Sequence, residues 1–165
     1  MSELQDELAE LVAPDDEVRR DPAGARKKAM DLLARREQTR SELISKLEKA
    51  GFATDVAEDV VIQLGDEGLQ SDQRFADAFV QSRYRTGKGP ARVKAELRGK
   101  SVPETLIDAA LSEFDGDWYA LAVEVRTKKF GSAPAIDFKE KARQMRFLQY
   151  RGFDSDHIAT ACGDL

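Results

Sequence analysis

Arg98-Gly99-Lys100-Ser101 resembles the closing half of a phosphate-binding loop, a first point where residue type and spacing could do chemistry. The full loop needs another Gly five residues before Gly99, so that backbone N–H groups can cradle phosphate, and that position is Lys94. It also needs a preceding strand where the pattern gives a helix, so the match is one of chance. Gly87-Lys88-Gly89-Pro90 could present N–H groups to an anion at a helix start; its simpler reading is a flexible turn between two helices. His157 stands beside Asp154 and Asp156, a set that could hold a metal ion, but a lone imidazole in a polar stretch reads as a surface histidine. Cys162 falls on an apolar position near Asp164, which suits packing rather than a reactive thiolate. Carboxylates are plentiful but lie on acidic faces, with no apolar pocket to drive their pKa values apart. No catalytic residue, metal site or cofactor is expected, and the chain reads as a non-enzyme.

The composition narrows the classes further. Within 165 residues there are 26 Lys and Arg against 31 Asp and Glu, one Cys and one His. That excludes a disulfide framework and a zinc site built on several Cys or His within one chain. No apolar run approaches the ~18–20 residues that span a bilayer. The opening MSELQDELAE is acidic, unlike the basic-then-apolar start of a signal peptide, and the expected compartment is the cytoplasm. Strand signals are nearly absent, and 35% charged residues with 7% aromatics suit short amphipathic helices. The expected fold is all-α.

What positions the charged groups is an internal repeat. Leu47, Leu97 and Leu148 align at offsets of 50 and 51 residues, followed five residues later by Phe52, Val102 and Phe153. Val56 and Leu106 align at nine residues, where the third copy has His157; Val60, Ala110 and Ala161 align at thirteen. Each copy reads as three helices. In the first, Ala25, Ala29, Leu32 and Leu33 share a stripe, Thr39-Arg40-Ser41-Glu42 is a capping box, and Gly51 ends the second helix. In the second, Pro90 and Pro103 suit helix starts. In the third, Trp118 begins an apolar stripe and a longer connection runs from Phe130 to Asp137. The expected organisation is an acidic, mobile arm at 1–23, then three-helix repeats at 24–70, 71–115 and 116–165. Together they form an elongated tandem array whose curvature depends on angles between repeats.

Charge is sorted by helix. Residues 83–98 hold Arg83, Arg85, Lys88, Arg92, Lys94 and Arg98 against Glu96 alone, whereas 103–117 hold five acids and no base. Residues 26–49 and 126–151 are likewise basic, and 54–69 carry five acids and no base. Repeated over stacked units, this would align cations into a stripe that attracts an oppositely charged partner in a salt-dependent way. Arg83-Tyr84-Arg85, with its interleaved aromatic, could contact phosphate or acidic protein surface. The expected partner-binding residues are Arg83, Arg85, Lys88, Arg92 and Lys94, then Arg35, Arg36, Arg143 and Arg146. The overall pI of about 5.1 argues against DNA as the main partner.

Asp72-Gln73-Arg74-Phe75-Ala76, with Arg83, Gly87, Gly89-Pro90, Arg92-Val93 and Glu96-Leu97, resembles the central motif of the RecX family of RecA regulators. The outer copies agree, through Leu32-Leu33-Ala34-Arg35-Arg36-Glu37 with Glu42-Leu43, and Phe147-Leu148-Gln149-Tyr150-Arg151-Gly152-Phe153. The resemblance spans roughly residues 24–162. It implies a tandem of three-helix units that binds the RecA–DNA filament; the expected protein is a monomer with no membrane partner, and single-stranded DNA within the filament is a candidate second partner. Family members block filament growth or promote its loss, damping ATP hydrolysis, strand exchange and coprotease activity. The resemblance brings no catalytic residues. Two other readings stay open, a helical module that binds DNA directly without RecA and a generic helical adaptor. The acidic arm and the long connection depart from the family pattern.

Overall fold

The computed structural model describes Glu3 and residues 16–163, and among these the chain is all-helical, with no strand. Following a helical turn at 16–19 come α1 (Pro22–Arg35), α2 (Arg40–Lys49) and α3 (Thr54–Asp66). Then follow α4 (Asp72–Arg85), α5 (Pro90–Gly99), α6 (Glu104–Glu113), α7 (Trp118–Phe130), α8 (Phe138–Tyr150) and α9 (Ser155–Cys162). The chain divides into two compact units, Met1–Phe75 and Ala76–Leu165. Most of the expected acidic arm lies outside the described residues.

The repeat inferred from apolar spacing reappears as one backbone motif made three times. Leu47, Leu97 and Leu148 are completely buried near the ends of α2, α5 and α8. Five residues on, the N–H groups of Phe52, Val102 and Phe153 donate to the carbonyls of those leucines at 3.1, 3.2 and 3.1 Å. The residue just before each donor is left-handed: Gly51 at φ 104°, Ser101 at φ 60°, Gly152 at φ 94°. This is the left-handed helix stop, in which a positive φ lets a late N–H reach back to an orphan carbonyl. Ser101 is the only described non-glycine residue with positive φ. It also ends the Arg98-Gly99-Lys100-Ser101 stretch, so those residues form a helix C-terminus, where carbonyls rather than N–H groups face outward.

In the first unit, Leu43, Leu47, Val61 and Leu64 form a solvent-free core with Ala25, Ala29 and Ala57. The capping box is present: Glu42 N–H donates to Thr39 Oγ1 at 3.0 Å and Thr39 N–H to Glu42 Oε2 at 3.1 Å. Gln38 and Gln70 are buried side chains, and Gln38 Oε1 accepts from Lys46 Nζ at 2.7 Å. Gln70 Nε2 donates to the Gln38 carbonyl at 3.2 Å and to Asp72 Oδ1 at 3.0 Å, and Asp72 Oδ1 also accepts from Arg40 N–H at 2.9 Å. The arm's end is fastened too, since Ala53 N–H donates to the Arg19 carbonyl at 2.9 Å and Arg20 pairs with Asp55 at 2.8 Å.

In the second unit the turn before α5 meets the turn after α8, backbone to backbone. Gly89 N–H donates to the Arg151 carbonyl at 2.8 Å, and Ala91 N–H to the Gly152 carbonyl at 2.9 Å. A Cβ on Gly89 would overlap the Gly152 carbonyl, and one on Gly152 would stand 2.6 Å from Arg92 N. Only two glycines allow this approach. Nearby, Tyr84, Phe114 and Trp118 form an aromatic trio with centroids 5.0–5.2 Å apart. Arg126, buried in α7, holds the long connection by donating to Gln144 Oε1 at 3.0 Å and to the Ala133 carbonyl at 2.6 Å.

The acidic third helices spend part of their charge on neighbouring bases. Arg26 of α1 makes two bonds to Glu67, at 3.0 and 2.6 Å. Lys94 of α5 meets Asp108 at 3.1 Å and Glu104 at 3.4 Å, and Arg98 forks onto both oxygens of Glu104. Exposed pairs of this kind add little stability individually. They do hold the Glu104 carboxyl down at about 2, chiefly through the Arg98 hydrogen bonds and then Lys94.

These geometries carry three expected outcomes. Gly152→Ala forces both a left-handed alanine and a collision with Arg92, and should lower the urea-unfolding free energy by more than about 2 kcal/mol. Ser101→Gly relieves a left-handed serine at the matching position and should raise it by about 0.5 kcal/mol. Because the Glu104 pKa is depressed, its pairing is intact above the usual glutamate value of 4.5 and is lost as pH falls through about 2. Carboxyl-carbon NMR should find that midpoint near 2, rising toward 4.5 in Arg98→Ala.

Candidate functional site

The cations of the second unit gather around the same backbone crossing. Pro90 opens α5, and the Gly87 turn (φ 77°) ends α4, so Arg83, Arg85, Lys88 and Arg92 are displayed within ten residues on either side of a short break. Arg83 Nε donates to Glu96 Oε2 at 2.9 Å and its guanidinium lies 4.4 Å from the Phe79 ring centroid. Arg92 lies 3.8 Å from the other oxygen of Glu96 and 5.7 Å from the Tyr150 ring. One carboxylate thus serves two guanidiniums. Burial pushes the Lys88 ammonium below its usual value, and the charges of Arg151, Arg92 and Arg83 push it further, with only Glu96 opposing. The cluster Arg83, Lys88, Arg92 and Arg151 therefore holds excess positive charge, the condition for recruiting an anionic partner.

The other expected residues sort differently. Lys94 is committed to Asp108 and Glu104 on α6, and its pKa is raised by those hydrogen bonds. Arg143 donates to Glu140 at 3.2 Å and lies 5.3 Å from the Phe130 ring. Arg85 and Arg146 are exposed and meet no carboxylate among the described residues. In the first unit, Arg35 and Arg36 stand at the end of α1. Arg36 bonds to the Glu37 carbonyl at 2.9 Å and reaches Glu42 at 3.4 Å, whereas Arg35 is exposed without an ion pair among the described residues.

Three local expectations are corrected. The N–H groups of Gly89 and Ala91 are taken by the Arg151 and Gly152 carbonyls, so the Gly87–Pro90 turn is a packed crossing, neither flexible nor open to an anion. Tyr84 does not join Arg83 and Arg85 on the outside, because its ring enters the trio with Phe114 and Trp118 and its hydroxyl donates to the Asp117 carbonyl at 3.1 Å. His157 is buried rather than on the surface. It fills the position held by Val56 and Leu106 in the other copies, 4.6 Å edge-to-face with Tyr119, and its Nδ1 accepts from Asp154 N–H at 3.2 Å. The sequence register already placed it on that apolar position. Among the described residues no cluster of His, Cys, Asp and Glu could hold a metal ion, and no helix is long and apolar enough to cross a membrane. Cys162 is partly buried, and burial pushes its thiol up, away from the reactive thiolate.

Arg151 is the participant that sequence reasoning did not single out. It sits within Phe147-Leu148-Gln149-Tyr150-Arg151-Gly152-Phe153 and is brought to Lys88 only because Gly152 meets Gly89.

Comparison with known proteins places this arrangement. Residues 25–64, 71–111 and 115–162 match the models for the first, second and third three-helix domains of RecX. The chain is 43% identical over 133 residues to the regulatory protein RecX of Halorhodospira halophila, covering 81% of this chain and 83% of that one. It is 43% identical over 139 residues to that of Chromohalobacter salexigens, covering 84% and 91%. In fold it is similar to the crystal structure of RecX from Lactobacillus salivarius, with a TM-score of 0.72 at 20% identity, over 85% of this chain and 93% of that one. Three-helix triplets in tandem, the cationic residues around the Gly89–Gly152 crossing and this degree of identity lead to one conclusion: the chain belongs to the RecX family of regulatory proteins.

Proposed function

We propose that the chain is a non-enzymatic regulator that binds the RecA–DNA filament and lowers RecA activity. It does so by blocking filament growth or promoting filament loss, so that ATP hydrolysis, strand exchange and coprotease activity all fall. The triplets at 24–70, 71–115 and 116–165 act as separate contact modules of a cytoplasmic monomer, with the acidic segment 1–23 outside the gripping surface. Many modest contacts add by multivalency, so no deep pocket is required. The observation that carries this reading is the cluster of Arg83, Lys88, Arg92 and Arg151 with Glu96 as its one counter-charge. Arg85, Arg146 and Arg35 offer exposed charge beside the family motifs, with Arg36 and Arg143 in support; Lys94 acts mainly through its pairs with α6. Single-stranded DNA inside the filament is a secondary contact.

The reading is tested on RecA's DNA-dependent ATP hydrolysis. Protein well below stoichiometry to RecA should slow turnover. The set Arg83→Glu, Arg85→Glu and Arg92→Glu should abolish the inhibition with helix content by circular dichroism unchanged. Lys94→Ala should weaken inhibition less than Arg85→Ala does. Undiminished ATP turnover at saturating protein would overturn the proposal. Tight, steeply salt-dependent binding to bare DNA, with no effect on RecA, would favour the direct DNA-binding module instead.

A further inference from the structure

Behind the Gly87 turn the second unit contains a half-walled recess of about 360 Å³ whose cations are not neutralised. Arg85, Lys128, Lys129 and Arg151 line it, over an apolar floor that includes Leu121 and Val125. Among the described residues none of these four cations meets a carboxylate at ion-pair distance, although Glu124 stands in the same wall. Other cations of the same unit, Arg83, Lys94 and Arg98 among them, do have acidic partners. Two of the recess cations are held in place by one ring, with Lys129 Nζ 5.5 Å and the Arg151 guanidinium 5.6 Å from the Phe147 centroid. Arg151 Nε is buried with no hydrogen-bond partner. Its Nη2 lies 3.5 Å from where a side chain on Gly87 would begin, so the guanidinium stands against the turn.

Four like charges lining one recess, with Glu124 alone against them, repel one another, and a compact anion relieves that repulsion. The cavity is at the lower end of ligand-site volumes, roughly 300–1,000 Å³, which suits a few linked phosphates. We propose that this recess binds a small polyphosphate, such as the triphosphate of a nucleotide, with Arg151 and Lys129 as preset donors and Arg85 and Lys128 closing over it. An acidic peptide spreads its charge at about one group per 3.4 Å of extended chain and cannot concentrate it here. A nucleic-acid strand needs a cationic groove that continues along the surface and free aromatic faces for its bases. The one ring in this wall, Phe147, is already engaged by Lys129, Arg151 and Phe130. Glu124 would repel a naked phosphate, and a Mg²⁺ ion carried on the polyphosphate offsets it, since Mg²⁺ is commonly shared between a carboxylate and phosphate oxygens.

The test is calorimetric titration of the full chain with sodium tripolyphosphate and with ATP, in the presence of Mg²⁺. RecA and DNA are absent, so the outcome is independent of the regulatory reading. Both ligands should bind, and AMP should bind at least tenfold more weakly. Lys128→Ala with Lys129→Ala, both exposed positions, should weaken tripolyphosphate about tenfold or more, while Lys27→Ala with Lys28→Ala in the first unit should change it less than twofold. No measurable binding of tripolyphosphate or ATP would overturn the proposal, as would equal affinity in the Lys128/Lys129 variant. Binding of oligothymidylate or oligoglutamate alone would overturn it in favour of a strand or an acidic protein segment.

Discussion

The second unit depends on two peptide backbones coming closer than side chains permit. The start of α5 has N–H groups that its own helix cannot satisfy, and the reversal after α8 supplies the carbonyls of Arg151 and Gly152 to them. Gly89 and Gly152 are the condition for that exchange, because a Cβ on either would occupy the space of the opposite strand of backbone. The contact then sets the electrostatics. It carries Arg151 to Lys88 and Arg92, and it fixes the Gly87 turn above Val125. Removing a methyl-sized volume from two positions therefore determines where four cations meet.

Around this crossing, one helix-stop device is used three times with different residues. Gly51 and Gly152 adopt the left-handed conformation without strain, and Ser101 adopts it against its preference. The middle copy tolerates this because Val102 is buried behind the turn and Leu97 below it, so packing overrides local propensity. His157 is the same kind of substitution in another place. An imidazole occupies an apolar slot, and its Nδ1 takes over a helix-start N–H that a carboxylate or hydroxyl usually accepts.

Much of the architecture was legible from the sequence because the signal was periodic. Leu47, Leu97 and Leu148 announced the repeat, and Thr39 with Glu42 announced a helix start whose bonds are formed as expected. The charge sorting was also visible, but its partition was not. Periodicity along one helix does not say that Lys94 and Arg98 face Glu104 and Asp108, while Arg85 faces none. Long-range geometry was hidden for a similar reason. Nothing local to Gly89 reveals that its N–H reaches residue 151, and nothing local to Tyr84 reveals Phe114 and Trp118 waiting for its ring. Arg151 joins the cationic cluster only through such a contact.

The division into Met1–Phe75 and Ala76–Leu165 also imposes a schedule on biosynthesis. The N-terminal core, complete by Leu64, can close while the ribosome is still translating the middle triplet. Helix α5 is begun about 60 codons before Gly152 is added, and its first turn stays unsealed at least that long. At roughly 5–20 residues per second, that interval is several seconds, during which the nascent middle segment is open to chaperones and proteases.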